Sequence, residues 1–333
     1  MLKKLLWLLL FLAWAGTASA EISRVGATGA QFLKIGVGSK YQGMGDAAVA
    51  VANDVYSMYW NPAGLVCVEY SQVSFTNVNY VLDIDLNHFA LAKYFEDVGV
   101  FGVTATMLSM DEQEITTFEE QDGTGDFYSA ASYTVGVSYA RQLTDRFAFG
   151  ATAKYVGERI HKENAHGFAF DFGTLLFTGF RSLRLGMSIS NMGPKMQFSG
   201  PDLEVSYDPL QGQGTNHAIG AAVKTTSYDL PMTFRVGLAY DLKFGSRSLM
   251  ILAAEVTHPN DQSQQGSLGA QWGWDDKFFL RGGYKLNYDE QSLSLGGGLA
   301  TPLSDNTTLH VDYAWQDYGR LDYTHRFSVG FSF

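Results

Sequence analysis

The last eleven residues of the chain alternate strictly between apolar and polar side chains. One set is Tyr323, His325, Phe327, Val329, Phe331 and Phe333, and the other is Thr324, Arg326, Ser328, Gly330 and Ser332. Successive side chains of a β-strand point to opposite faces, so this pattern predicts a strand with one apolar and one polar face. Its length matches the roughly 9–11 residues with which a tilted strand crosses a bilayer.

The same alternation recurs along the chain and predicts fourteen strands. They lie near residues 71–83, 86–95, 98–109, 128–142, 146–160, 165–178, 182–192, 231–242, 247–257, 265–274, 277–288, 291–300, 306–316 and 323–333. The polar face is rich in Gly, Ser and Ala, whereas the solvent face of a soluble sandwich would be rich in Lys, Glu and Thr. Small inward residues suit a barrel whose interior must leave room for something else.

The connections between the predicted strands alternate in length. Each even-numbered strand is followed by a short connection, whereas the other set includes the long connections 110–127 and 193–230. Short periplasmic turns and longer outer loops are typical of outer-membrane barrels. We therefore predict an all-β fold, a fourteen-stranded antiparallel transmembrane β-barrel of the outer membrane, with both chain termini on the periplasmic side.

The first twenty residues have the features of an export signal. Lys3 and Lys4 precede the apolar run 5–15, and Ala18-Ser19-Ala20 is an A-x-A cleavage site. We predict a signal peptide over residues 1–20. Its removal takes away two lysines and no acids, so the formal charge changes from -11 to -13. This charge argues against nucleic acid as a partner, because phosphates require a basic face.

The segment between the signal peptide and the first strand does not alternate and is rich in Gly and Ala. Its run 47–52 predicts a short, narrow helix, Pro62 takes the residue before it out of helical geometry, and Gly64 permits a tight turn. Fourteen strands make a barrel wider than the eight-stranded kind that side chains fill. We predict that residues 21–68 form a small helical plug, or hatch, in the lumen of a barrel formed by residues 69–333.

Two stretches of this segment carry a resemblance. Residues 29–45 and 47–65 resemble the N-terminal signature of the PorV/PorQ family, which is similar to the FadL-type transporters. Asp46 departs from that family, which more often has glycine there, and the departure can place an acid inside the lumen. The resemblance implies a plug motif of Gly43, Gly45, Asp46, Asn61, Pro62, Ala63 and Gly64.

The resemblance implies two roles. PorV-like members serve the type IX secretion system, where they bind or shuttle exported proteins that carry a C-terminal signal domain and deliver them to attachment-complex proteins. FadL-like members move long-chain fatty acids or other hydrophobic molecules across the outer membrane, which would place a hydrophobic ligand in the lumen. The resemblance favours the first role.

The long loop 193–230 supplies the candidate binding residues, which are apolar and spaced by polar ones. Such a loop can pair by its edge with a β-rich signal domain, or it can cover a lipid groove, and the residues themselves do not decide between the two. The candidates are Phe198, Leu203, Val205 and Tyr207. At the other end of the chain, Phe331 and Phe333 are interpreted as the C-terminal signal for insertion into the membrane.

Isolated charges of both signs fall on the predicted lumen face. Because charges in a small lumen need partners, we interpret them as ion pairs that anchor the plug. The alternative is selectivity for an ionic solute. The residues are Lys154, Asp171, Arg184, Arg235, Glu255, Arg281, Lys285 and Asp312.

The sequence shows no pattern of catalytic or metal-ligating residues. Its seven histidines have no H-x-x-x-H or Cys/His spacing, and Cys67 is the only cysteine. The acidic loop 110–127 could be ordered by calcium through Asp122 and Asp126, but it does not match an EF-hand, and a solvated acidic surface is favoured. We predict a protein that is not an enzyme, with no cofactor and no metal site.

Overall fold

The computed structural model describes residues 25–207 and 219–333. The predicted signal peptide, residues 1–20, lies outside the described residues and stays a prediction, as do the proposed domain boundaries. The strands are β1 (Gln72–Asn79), β2 (Asp85–Phe95), β3 (Gly99–Ser109), β4 (Gln113–Glu114), β5 (Phe127–Tyr128), β6 (Ala130–Thr144), β7 (Phe147–Ile160), β8 (Glu163–Phe177), β9 (Arg184–Met192), β10 (Glu204–Tyr207), β11 (Ile219–Ala222), β12 (Thr233–Phe244), β13 (Ser248–Pro259), β14 (Gln265–Trp274), β15 (Phe278–Leu286), β16 (Leu293–Ser304), β17 (Thr307–Asp317) and β18 (Tyr323–Ser332).

Fourteen of these strands close into one antiparallel barrel. The order is β1-β18-β17-β16-β15-β14-β13-β12-β9-β8-β7-β6-β3-β2, and the pairing of β1 with β18 closes the ring. Each of the fourteen predicted segments coincides with one barrel strand, so the predicted fold class is confirmed. Closure leaves no unpaired strand edge in the wall, which is the condition for a sheet to span a bilayer.

The predicted alternation sorts the wall into a lipid face and a lumen face. On β18, Phe327, Val329 and Phe331 are exposed, whereas Arg326 and Ser328 are buried inside the barrel. An exposed band of large apolar side chains is the surface that a bilayer requires. Among the described residues, no helix is long and apolar enough to cross a membrane.

The long and the short connections lie at opposite ends of the barrel, as expected. The two short hairpins, β4 with β5 and β10 with β11, belong to the two long loops and form separate two-stranded sheets outside the wall. We call this end of the barrel the loop end. The last residue lies at the other end, where the Phe333 amide donates to the Ser71 carbonyl at 2.9 Å.

The N-terminal segment lies inside the barrel and forms the core of the molecule. Tyr41, Met44, Met58, Trp60 and Leu65 are all almost completely buried there. Its regular elements are the 3-10 helix Gln31–Lys34, the α-helices Ser39–Gln42 and Ser57–Trp60 and the 3-10 helix Pro62–Cys67. Three further 3-10 helices, Val81–Asp83, Pro201–Leu203 and Gly319–Leu321, lie in connections at the loop end.

The predicted helix over residues 47–52 is wrong, because this stretch forms turns. The amides of Ala48 and Val49 donate to the Glu255 carboxylate, each at 2.8 Å, instead of to carbonyls of a helix. Asp46, just before the stretch, has a left-handed φ of 63° that interrupts any helix begun earlier. The Glu255 carboxylate, from a distant strand, therefore accepts hydrogen bonds from backbone amides that a helix would pair with its own carbonyls.

The Asn61-Pro62 step behaves as expected, whereas Gly64 has a different role. Asn61 is extended, with φ -159° and ψ 101°, and the α-helix ends at Trp60. A Cβ at Gly64 would lie 2.2 Å from the Ala52 carbonyl oxygen. Glycine is therefore needed there for close approach of two chain segments.

The predicted periplasmic location of the N-terminus does not hold for the described chain. The Gly29 amide donates to the Asp229 carbonyl at 3.1 Å, and Asp229 belongs to the long loop between β9 and β12. The described chain thus begins at the loop end and runs through the lumen to β1. An even number of strands places the start of the first strand and the end of the last strand on the same side of the membrane. It carries no information on the path of a segment that precedes the first strand inside the lumen.

Small wall residues give the plug its space. Glycines on eight wall strands point at plug atoms so closely that an added Cβ would lie about 2.0 to 3.1 Å from them. Real Cβ atoms essentially never come within 3.0 Å of such atoms. The Gly-rich lumen face of the sequence is therefore a docking surface for the plug, formed by Gly102, Gly150, Gly173, Gly186, Gly237, Gly269, Gly283 and Gly296.

Candidate functional site

Three polar contacts attach the plug to the wall in the loop-end half of the lumen. Lys285 pairs with Asp46, Glu255 accepts from the Ala48 and Val49 amides, and Arg326 donates to the Gly36 carbonyl. The Asp46 carboxylate is thus inside the lumen, as its departure from glycine suggested. Its positive φ explains why glycine would also fit this position.

The other predicted lumen charges pair within the wall. Lys154 lies 2.8 Å from Asp171, Arg184 2.5 Å from Asp241 and Arg281 2.6 Å from Asp312. Arg235 pairs with Glu255 at 3.7 Å and also lies over the ring of Trp60 on the plug, 5.5 Å from its centroid. The charges are therefore paired, but only some of the pairs hold the plug.

The plug motif residues contact the wall at several heights. Gly43 and Gly45 meet the backbones of β16 and β15, respectively. The Asn61 side chain donates to the carbonyls of Val49, at 2.7 Å, and Thr174, at 3.0 Å. Pro62 and Ala63 pack against Gly150 near the short-turn end.

Two of the four outer-loop candidates form an exposed apolar face. Val205 and Tyr207 of β10 pair with Ala221 and Ile219 of β11. Val205, Tyr207 and Ile219 are 44%, 53% and 54% exposed, respectively. At the loop end, the hairpin thus presents apolar side chains and two strand edges that pair with no other strand of the described residues.

The other two candidates lie nearer the base of the loop. Leu203 is half-buried, and the half-buried ring of Phe198 packs against Tyr228 with centroids 5.9 Å apart. Tyr228 donates to Glu158 at 2.7 Å, and burial together with this carboxylate raises the pKa of its hydroxyl. The two aromatic rings pack against a buried cluster that includes Phe32 and Met196, so the loop base rests on the tip of the plug.

A second contact fixes the plug tip to a different outer loop. Asp261, in the connection after β13, accepts from Thr28 at 2.6 Å, from Gln31 at 2.9 Å and from Lys34 at 3.0 Å. Burial alone would raise the pKa of Asp261, but these hydrogen bonds outweigh it and hold the pKa below its ordinary value.

The sequence interpretation missed Asp261 and Arg326. The alternation of β18 does place Arg326 on the lumen face, so the signal for this residue was present. Asp261 gives no such signal, because it lies in a connection. Phe331 and Phe333 are exposed at the short-turn end, and their role in insertion stays a prediction. Within residues 25–207 and 219–333, no group of three or more His, Cys, Asp or Glu residues could hold a metal ion.

Comparison with known proteins gives one family and one fold. The family model described as type IX secretion system protein PorV matches residues 18–225. No curated protein matches the sequence significantly.

The similar solved structures are outer-membrane barrels. The CymD monoaromatic hydrocarbon channel has a TM-score of 0.59 at 12% identity, with 90% of this chain and 98% of that chain covered. The toluene transporter TodX of P. putida has a TM-score of 0.58 at 12% identity, and a Pseudomonas aeruginosa FadL homologue has 0.52 at 11%, each covering 89% of this chain and 98% of its own. At these identities the likeness shows the fold alone.

Proposed function

Because this outer-membrane chain belongs to the family of the type IX secretion system protein PorV, we propose that it binds exported proteins through the hairpin of β10 and β11. The role is non-enzymatic: the hairpin holds the C-terminal signal domain of the exported protein at the outer face of the membrane. The FadL-like alternative, transport of a hydrophobic molecule, has its support in fold neighbours of 11–13% identity.

The observation that carries the proposal is the exposed apolar face of this hairpin. Val205, Tyr207 and Ile219 lie on one side of a two-stranded sheet, each 44% or more exposed. A two-stranded sheet is marginal by itself in water and gains stability when a further strand is added. Addition of a strand of the signal domain would supply backbone hydrogen bonds and cover the apolar side chains.

The free edge of β10 can be assigned from the ladder. The Val223 amide donates to the Leu203 carbonyl at 2.8 Å, so these two residues are a hydrogen-bonded pair. Hydrogen-bonded and non-hydrogen-bonded pairs alternate in an antiparallel ladder. Two pairs of the ladder are therefore not hydrogen-bonded to each other, Glu204 with Ala222 and Ser206 with Gly220. The amides of these four residues point to the outer edges of the hairpin.

The test is a proline at the outer edge. In Ser206→Pro, β10 keeps its bonds to β11 but loses an outward N–H and gains a ring that blocks a neighbouring strand. We expect binding of a purified C-terminal signal domain, from an exported protein of the same organism, to weaken at least about tenfold in surface plasmon resonance. Ser206→Ala, which keeps the N–H, is the matched control.

Gly220→Pro tests the outer edge of β11 in the same way. Loss of binding in this variant alone would assign the signal domain to β11. If the domain binds wild type and both proline variants equally, binding through the hairpin is wrong. If it does not bind wild type, the proposed function itself is wrong.

A further inference from the structure

A cavity of about 410 Å³ lies in the loop-end half of the lumen, between the plug and the wall. Its volume lies at the lower end of the range for small-molecule sites, which is about 300–1,000 Å³. Five aromatic side chains line it, Phe32 and Trp60 from the plug and Tyr80, Tyr288 and Tyr318 from the connections at the loop end. The cavity is thus of a size and composition suited to a compact ligand with a ring.

Three of the four cations in the cavity lining have a carboxylate partner. Lys34 pairs with Asp261 at 3.0 Å, Arg235 with Glu255 at 3.7 Å, and Lys285 with Asp46. Glu290, an acidic residue of the lining, is engaged by Arg320 outside it. These pairs neutralise one another. The remaining acid of the lining, Asp289, has an exposed side chain that interacts electrostatically with Arg320.

Arg326 is the fourth cation, and it lacks such a partner. Its side chain is among the most deeply buried of the protein, with 1% of the residue exposed. No carboxylate of the described residues lies within ion-pair distance of it. Its Nη1 donates to the Gly36 carbonyl, whereas its Nε has no hydrogen-bond partner among the described residues.

The Arg326 guanidinium therefore has hydrogen-bond donors and a positive charge available for a ligand. It carries five N–H donors in a fixed plane, and a carboxylate can accept two of them at once. A buried charge without a counter-ion is strongly unfavourable, so an anion that reaches Arg326 would remove that cost. A neutral molecule of the same shape would leave the charge of Arg326 without a counter-ion.

We propose that this cavity binds a compact aromatic carboxylate, with the carboxylate on Arg326 and the ring against Trp60, Tyr288 and Tyr318. Phe32, Ile35 and Leu321 add further apolar surface to the cavity lining. The site is separate from the β10–β11 hairpin, so it stands or falls independently of the binding of exported proteins.

The test compares benzoate with benzamide, its neutral isostere. The purified barrel is held in lipid nanodiscs at pH 7, and binding is measured by saturation-transfer NMR titration. We expect benzoate to bind at least about tenfold more tightly than benzamide, since one charge-assisted hydrogen-bond pair distinguishes them. This test needs only the wild-type protein. Equal affinities for benzoate and benzamide, or no binding of benzoate, would overturn the proposal.

A variant pair then assigns the carboxylate to its residue. Arg326→Gln should weaken benzoate at least about tenfold and leave benzamide unchanged. Arg159→Gln is the control, because Arg159 is an exposed arginine at the loop end of β7 that does not line the cavity. If Arg326→Gln fails to fold, Arg326→Lys, which keeps the charge, should retain preference for benzoate over benzamide. Equal loss in the Arg326 and Arg159 variants would mean that benzoate responds only to general positive charge, and would overturn the assignment to Arg326.

Discussion

Gly186→Ala should destabilise the protein far more than a single methyl group normally does. Gly186 lies on the lumen face of β9, and its added Cβ would lie 2.2 Å from the Val49 oxygen, 2.6 Å from the Val49 carbonyl carbon and 2.8 Å from the Ala50 Cα. Ordinary contact begins near 3.4 Å, so the plug backbone must move by about 1 Å. No flexible side chain is available to absorb this shift.

The magnitude follows from the cost of overpacking. Extra methyl groups in a well-packed core cost about 1–3 kcal/mol, and a clash with backbone belongs at the upper end. The hydrogen bonds of Ala48 and Val49 to Glu255 hold this segment against the wall, so they resist the displacement that would relieve the clash. We therefore expect the variant to unfold at lower temperature and to expose the plug to protease before the barrel unfolds.

The assay is loss of the compact, heat-modifiable band on gel electrophoresis as a function of temperature at fixed heating rate. Gly297→Ala, also a wall glycine, is the matched control, because the nearest atom to its added Cβ is the Phe279 oxygen at 3.8 Å. If Gly186→Ala and Gly297→Ala lose the band at the same temperature, the wall glycines are not a docking surface for the plug.

Two further predictions concern the polar contacts of the plug. Asp46→Gly suits the backbone, whose φ is 63°, but leaves the buried Lys285 without its carboxylate, so we expect a loss of about 3–5 kcal/mol. Adding Lys285→Met should restore most of this stability in the same thermal assay, and equal stability of Asp46→Gly and wild type would contradict the argument. Because the folded pKa of Asp261 lies below its ordinary 3.8, its contacts stabilise the plug tip above that pH and lose this effect as the pH falls through the folded value. The measurement uses a nitroxide label on Ala27→Cys in a Cys67→Ser background. The label should become mobile on acidification, and in Asp261→Asn it should be mobile at all pH values. Mobility that does not change with pH in the protein with Asp261 would refute this.

The barrel could be predicted from the sequence because each strand carries its own evidence. Alternation over eleven residues, as in 323–333, identifies a strand, and the sorting of loop lengths identifies its direction. Neither signal depends on a distant part of the chain. The predicted bounds consequently agree with the observed bounds of the barrel strands to within a few residues.

The plug could not be predicted in the same detail, because its conformation depends on partners far along the chain. Residues 47–52 have the alanines of a helix, yet Glu255, more than 200 residues away, binds their amides. Arg326 was correctly placed on the lumen face by alternation, but nothing in the sequence links it to Gly36. The candidate residues of loop 193–230 likewise divided into an exposed face and a half-buried base only in three dimensions.

The contacts between the plug and the last strand have a consequence for the order of assembly. Gly36 and Ser39 are made at the start of synthesis, but their partners Arg326 and Ser328 lie on β18, about 290 residues later. The same strand closes the ring by pairing with β1. Until β18 is in place, the plug lacks these anchors and the ring is open at its seam. Positioning of the plug and closure of the ring are therefore completed by the same strand, and a chain that lost β18 would lose both together.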